Sequence, residues 1–247
     1  LGQEIIHIEN FTMSFGDKTV IDNLSFEVMR GEIFGFLGSN GSGKTTTLRA
    51  LLGLYQPTGG TLLIDGAPYS VSGSVKLGYL PEERGLYKKE KVLDVMSYFG
   101  ELKGMKRADA RAFSLKYLER VKLLDKANVR LDKLSGGQQQ KVQLGVTVMN
   151  EPDLLILDEP TKGFDPVNRR LLMNIIEERK EDGATIVFVS HHMEEVERLC
   201  QRAILLKDGR AEAYGTITSI KKRYGEQSMD DVFVKIYGGE QAEGYDE

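Results

Sequence analysis

The sequence predicts an α/β fold: buried strands alternating with helices, preceded by an antiparallel β-subdomain and interrupted midway by an inserted α-helical subdomain. Three observations carry this. Leu154 to Leu157 and Thr185 to Val189 are continuous apolar runs, as expected of strands covered on both faces of a parallel sheet. Glu4 to Glu9 alternates apolar and polar residues and Val20 to Val28 largely does the same, which marks antiparallel strands with one face on a core. From Val92 to Val121 the spacing becomes helical, with charges along one face and Gly104 as a break.

After the two alternating strands, Ile33 to Leu37 is a short apolar run entering a glycine-rich loop, Gly38 to Gly43, and Thr45 to Leu54 then carries helical spacing. Thr61 to Ile64 and Val75 to Leu80 are further short strands. The helical insertion covers about 82–146, and a helix through Leu144 to Met149 ends before Pro152. Asp165-Pro166 opens another helix, with Asp at the cap and Pro in the first turn. Thr185 to Val189 leads into a helix through Cys200, and Arg202 to Lys207 with Arg210 to Tyr214 flank the hairpin signal Asp208-Gly209. Ser228 to Tyr237 places Met229, Val232, Phe233, Ile236 and Tyr237 on one helical face, with Ser228 and Asp231 in capping positions. The stretch from Gly238 is glycine-rich and acidic and is expected to be disordered. The expected organisation is one domain over 1–224, then a C-terminal amphipathic helix and acidic tail over 225–247.

Bulk properties narrow the function. A chain of 247 residues can bury one core, or one core with an inserted subdomain. A net charge of −4 supplies no global basic field, so no nucleic-acid partner is expected. No apolar run is long enough to span a bilayer, and Leu1-Gly2-Gln3-Glu4 lacks the layout of a secretion signal. A single cysteine, Cys200, excludes an internal disulfide and fits a reducing cytosol. Work at a membrane would require docking onto another polypeptide.

Gly38-Ser39-Asn40-Gly41-Ser42-Gly43-Lys44-Thr45 fits the Walker A phosphate-loop pattern, placed where a strand passes into a helix. Glycines let the backbone curl so that successive N–H groups face phosphates, and the following helix adds its positive end. Lys44 is expected to reach the β- and γ-phosphates of ATP and Thr45 to ligate Mg²⁺. The competing reading is an ordinary glycine turn, but the four fixed positions arise by chance in such a chain only roughly once in a hundred.

Leu154 to Leu157 runs into Asp158-Glu159, the layout of a Walker B strand. Asp158 would deliver a carboxylate toward the Mg²⁺ shell, and Glu159 would polarise the attacking water as general base. A solvated acidic turn is the plain alternative and would win without the phosphate loop. Leu134-Ser135-Gly136-Gly137-Gln138 is more specific, since five fixed residues arise by chance in roughly one such chain in several thousand. It places a serine and two bare glycine amides at a helix opening, a second anion site. One phosphate loop already holds one side of one triphosphate, so the second site most economically serves a nucleotide bound by another copy.

On these residues the chain resembles the nucleotide-binding subunits of ABC (ATP-binding cassette) transporters from about Glu4 to Tyr224, with LSGGQ as their signature. The resemblance implies a P-loop RecA-like core and a head-to-tail dimer, with itself or a homologous ATPase subunit, that sandwiches two ATP molecules. It also implies coupling through the helical subdomain to transmembrane permease subunits, and hence a peripheral place on the cytoplasmic face of the cell membrane. The implied nucleotide contacts are Phe15, Gly38, Ser39, Asn40, Gly41, Ser42, Gly43, Lys44, Thr45 and Thr46. Ser135, Gly136, Gly137 and Gln138 would act on the nucleotide of the other copy. Phe15 matches the aromatic that stacks on adenine, against the simpler reading of a core aromatic. His191, after a buried strand, matches the switch histidine that joins Lys44 and Glu159 in catalysis; His192 and His7 are expected to be solvated or structural.

Glu82, after Gly78-Tyr79-Leu80-Pro81, stands where the family has glutamine, and it joins Thr45 and Asp158 as a candidate metal ligand. Some drug- and sodium-exporter branches carry a similar GYLPEERGLY stretch, which favours export. Lys162 and Phe164 also depart from the small and leucine residues usual in the D-loop, Lys162 to Asp165. The alternative is a soluble ATP-gated clamp or a regulatory ABC ATPase. Against it stand the short insertion between Lys44 and Leu134, the single cassette, and the presence of both Glu159 and His191.

Overall fold

The computed structural model describes residues 3–70, 73–83 and 85–238. In chain order the strands and helices are β1 (Glu4–Phe15), β2 (Lys18–Met29), β3 (Ile33–Gly38), α1 (Lys44–Leu51), β4 (Gly59–Ile64), β5 (Leu77–Leu80), α2 (Val92–Leu102), α3 (Arg107–Arg120), α4 (Gly136–Val148), β6 (Leu154–Asp158), α5 (Pro166–Glu181), β7 (Thr185–Val189), α6 (Met193–Leu199), β8 (Arg202–Lys207), β9 (Arg210–Thr216), α7 (Ile217–Tyr224) and α8 (Met229–Tyr237). The chain divides into two compact units, Leu1–Val75 with Thr185–Glu247, and Lys76–Ala184.

The first unit holds two sheets. In one, β1 is flanked by antiparallel β2 and β4. β1 runs six residues past Glu9, where the alternation stops, because Asn10 takes a left-handed φ of 49°. Pairing there jumps from Ile8↔Phe26 to Phe11↔Leu24, a bulge that turns Phe11 back into the core. In the other sheet β7, β3 and β8 are parallel and β9 closes antiparallel on β8. Every residue of β3 and of β7 is buried. Helix α1 stops at Leu51 rather than Leu54, because Gly53 enters the left-handed region at φ 71° and leaves Leu54 exposed.

Helix α8 is capped by Ser228, whose Oγ accepts the Asp231 amide at 3.1 Å. It buries Met229, Val232, Ile236 and Tyr237, while Phe233 is half-buried. The Tyr237 hydroxyl donates to the Leu206 carbonyl at 2.6 Å and Lys207 Nζ to that of Ile236 at 2.9 Å, which ties α8 to β8. The glycine-rich acidic tail lies, from residue 239, outside the described residues.

In the second unit β5 and β6 pair in parallel from Leu77↔Leu154 to Leu80↔Leu157. Helices α2 and α3 press side chains directly onto the α4 backbone at one glycine. A Cβ at Gly145 of α4 would stand 2.4 Å from the Tyr117 ring of α3 and 2.9 Å from the Met96 methyl of α2. The buried Tyr117 hydroxyl donates to the Lys141 carbonyl at 2.9 Å, and burial pushes its pKa well above the usual phenol range. Any side chain at Gly145 therefore separates α4 from both neighbours.

Candidate nucleotide-binding site

In the first unit the phosphate loop leaves β3 at Gly38, where a Cβ would lie 2.4 Å from Ser42 Oγ and 2.7 Å from the Leu206 carbonyl oxygen. Gly43 has φ 105°, and a Cβ there would meet Ile21 Cδ1 at 2.2 Å. Only glycine lets the loop curl this tightly. Lys44 folds back over the loop, its Nζ donating to the carbonyls of Gly38 at 2.7 Å and Ser39 at 3.0 Å. Ser42 Oγ is buried without a hydrogen-bond partner among the described residues. Such an orphan is costly unless a ligand completes it. Thr45 and Thr46, half-buried, lie in the first turn of α1, whose opening amides supply the rest of an anion cradle.

His191 reaches the same region by register. Phe36 of β3 pairs with Val189 of β7 in parallel, so Gly38 and His191, each two residues on, emerge at one carboxyl edge. His191 is exposed, with its ring 4.3 Å from that of His192, and the turn is held by the His192 amide donating to Ser190 Oγ at 3.0 Å. Phe15 ends β1 with 47% of its surface exposed. Its ring stands edge-on to Tyr55 at 5.4 Å, and Arg49 donates to the Tyr55 hydroxyl at 3.0 Å. Tyr55 carried no sequence signal because it sits in an irregular loop outside any motif.

In the second unit β6 ends on Asp158, which is buried. Glu159 follows at φ 49°, a conformation that costs a non-glycine residue of order 1–3 kcal/mol and tends to persist at functional sites. The Leu80↔Leu157 pairing brings the residues after β5 to the same edge, so Glu82 emerges beside Glu159. Glu82 Oε1 accepts from Lys162 Nζ at 2.5 Å. Glu82 first, then Glu159 and Asp158, hold the Lys162 ammonium above the usual lysine range. Glu82, expected as a metal ligand, is thus engaged in an ion pair.

The signature opens α4. Ser135 is its N-cap, with Oγ accepting the Gln138 amide at 3.3 Å, while Gln138 Oε1 accepts the Ser135 amide at 2.9 Å. This reciprocal capping box occupies both side chains and leaves the Gly136 and Gly137 amides at the helix opening. Behind them lies the buried Phe164 ring, 3.8 Å from where a Gly137 Cβ would be. Asp165 caps α5 by accepting the Asn168 amide at 2.9 Å. One link escaped the sequence reading: buried Gln143 of α4 donates to the Glu83 carbonyl at 3.2 Å, fastening the loop after β5 to the signature helix. In sequence Gln143 merely continues the polar run Gln138 to Gln140.

The fold and the phosphate loop define a P-loop nucleotide-binding protein. The ABC transporter family matches residues 21–162. An uncharacterised ABC transporter ATP-binding protein of Methanocaldococcus jannaschii is 49% identical over 218 residues, 88% of this chain and 80% of that one. A Nod factor export ATP-binding protein I of Paraburkholderia xenovorans is 40% identical over 87% of this chain and 72% of its own length. Among solved structures, the ATP-binding subunit of an ABC transporter matches with a TM-score of 0.86 at 27% identity, covering 94% of this chain and 98% of that one. A dimeric ATP-binding cassette in a post-hydrolysis state with ADP and phosphate matches with a TM-score of 0.76 at 27% identity, over 86% of this chain and 98% of that one. The chain belongs to the ABC transporter family, and it is an ATP-binding, ATP-hydrolysing subunit.

Proposed function

We propose that two such subunits form an ATP sandwich that drives export through separate membrane permease subunits, from the cytoplasmic face of the membrane. What supports this reading is a second candidate anion site in the same chain: besides the loop at Lys44, the capped opening of α4 presents two glycine amides. Among the described residues no helix is long and apolar enough to cross a membrane. The export direction is supported by relatives named for Nod factor export and linearmycin resistance. In domain terms, 1–224 is the ATPase, 82–146 its permease-facing helical subdomain, and 225–247 a C-terminal amphipathic helix and acidic tail.

The orphaned Ser42 Oγ, the helix opening and the Lys44 ammonium fit a triphosphate. Lys44 exchanges carbonyl partners for phosphate oxygens, and Phe15 offers its exposed face to the base. Gly136 and Gly137, with the cap that Ser135 and Gln138 form, face the nucleotide of the other copy. Glu159 takes a proton from water as its oxygen attacks the γ-phosphorus and the bond to the bridging oxygen breaks, giving ADP and phosphate. His191 orients the γ-phosphate. Thr45 and Asp158, a hydroxyl and a buried carboxylate, are the hard oxygen donors that would hold Mg²⁺. The metal would neutralise charge on the phosphate oxygens. Glu82 is left out of this set because Lys162 holds it.

Ser135→Arg tests the sandwich. It is expected to spare ATP binding and block hydrolysis, and mixing it with Lys44→Ala should restore partial activity, since one composite site of the mixed dimer is intact. Phosphate release by the mixture is the readout; mixtures no more active than either parent argue against sites shared between copies. Losing the cap itself costs α4 about 0.5–2 kcal/mol, so Ser135→Ala serves as the stability control.

Glu82→Gln is expected to lower basal ATPase by less than about tenfold, a barrier change under roughly 1.4 kcal/mol, because its charge is already matched by Lys162. Transport by the assembled complex should suffer more. Both rates are to be measured for the same variant, free and in reconstituted vesicles; a basal loss as deep as that of Glu159→Gln would return Glu82 to the reacting centre.

A further inference from the structure

We propose that Lys162 is the dedicated counter-ion of Glu82, a positioning residue that keeps a third carboxylate electrically silent at the nucleotide edge of β5 and β6. The inference rests on the reading that Asp158 and Glu159 act on bound ATP. Parallel pairing of Leu80 with Leu157 delivers Glu82, Asp158 and Glu159 to one sheet edge. Lys162 contacts the first of them at 2.5 Å. Among these three carboxylates, Lys162 offsets the charge of Glu82. Without the ammonium, the edge becomes one unit more negative where it faces an anionic triphosphate.

Both ends of the pair are held by buried neighbours, so the contact is not a chance meeting of two long side chains. Lys162 lies between Thr161 and Phe164, both buried, in a turn closed by its own amide on the Glu159 carbonyl at 3.1 Å and by the Phe164 amide on the Thr161 carbonyl at 3.0 Å. Gly163, at φ 77°, lets the chain reverse between them. On the other side buried Gln143 holds the Glu83 carbonyl, fixing the loop that carries Glu82. The two side chains are 61% and 43% exposed, and a pair so solvated adds little to fold stability. Its effect is on the field at the sheet edge, which a bound anion senses over several ångströms.

The test is a double-mutant cycle read by binding, in the full chain carrying Glu159→Gln so that no turnover intervenes. Lys162→Met, Glu82→Gln and the pair are titrated with a ribose-labelled fluorescent ATP in the presence of Mg²⁺. Lys162→Met is expected to weaken binding about tenfold at low salt, and less at about 0.5 M KCl, where charges are screened. Adding Glu82→Gln to Lys162→Met should bring affinity back to within about threefold of the parent, and Lys162→Arg should match the parent. If Glu82→Gln gives no rescue, Lys162 acts on the nucleotide itself and the inference is overturned. Parent-like binding by Lys162→Met overturns it as well. Failure of the parent to bind ATP at all would overturn the nucleotide reading, and this inference with it.

Discussion

Glu159→Gln is expected to bind ATP as tightly as the parent while losing hydrolysis by about 10²–10⁴-fold, the range for removing a positioned general base. The substitution is nearly isosteric, so the left-handed backbone at Glu159 and its turn to Lys162 need not change. Only proton acceptance is lost. The phosphate loop is untouched, so nucleotide accumulates unhydrolysed and the sandwich should persist. Phosphate release gives the rate, and size-exclusion chromatography with ATP and Mg²⁺ gives the assembly. A variant that stays monomeric under those conditions counts against the ATP sandwich; one that hydrolyses at the parent rate removes Glu159 from catalysis.

Lys44→Ala is expected to abolish ATP binding at physiological nucleotide concentrations. Lys44 Nζ already occupies the mouth of the loop, held by the Gly38 and Ser39 carbonyls. Two charge-assisted contacts at about 1.5–3 kcal/mol each amount to roughly 10²–10⁴-fold in affinity. Equilibrium titration with labelled ATP checks this, and unchanged affinity would take Lys44 out of the site. A normal thermal melt for the apoprotein would separate this loss from misfolding.

Local sequence chemistry made the fold legible wherever one rule governed a segment. The continuous apolar runs became buried strands, and the cap signals at Asp165 and Ser228 became helix openings. The end of β1 was not legible, because a left-handed asparagine preserves a strand that alternation says is finished. The loop from Gly38 to Gly43 and the helix opening at Ser135 were legible as local structure, because left-handed glycines and a capping box each leave their mark on the sequence. The Glu82–Lys162 pair was not, though both residues stood out singly, because they lie 80 positions apart and are brought together by strand register and by the turns that follow each strand. Gln143 escaped for the same reason, its partner Glu83 lying 60 positions away, and Tyr55 because it sits in an irregular loop outside any motif.

Helix α4 is pinned where Gly145 meets Tyr117 and Met96, is gripped at Gln143 by the Glu83 carbonyl, and presents Gly136 at its free opening. At 1.5 Å of rise per residue, Gln143 lies about 3 Å from the pin and Gly136 about 13 Å. The grip at Gln143 and the opening at Gly136 therefore lie on the same side of the pin, at unequal distances from it. A tilt about the pin that moved Gln143 by a few tenths of an ångström would carry the signature amides through roughly four times that distance, more than an ångström, enough to make or break a hydrogen bond. A push on the loop behind β5 would reach the Gly136 and Gly137 amides without passing through any flexible chain.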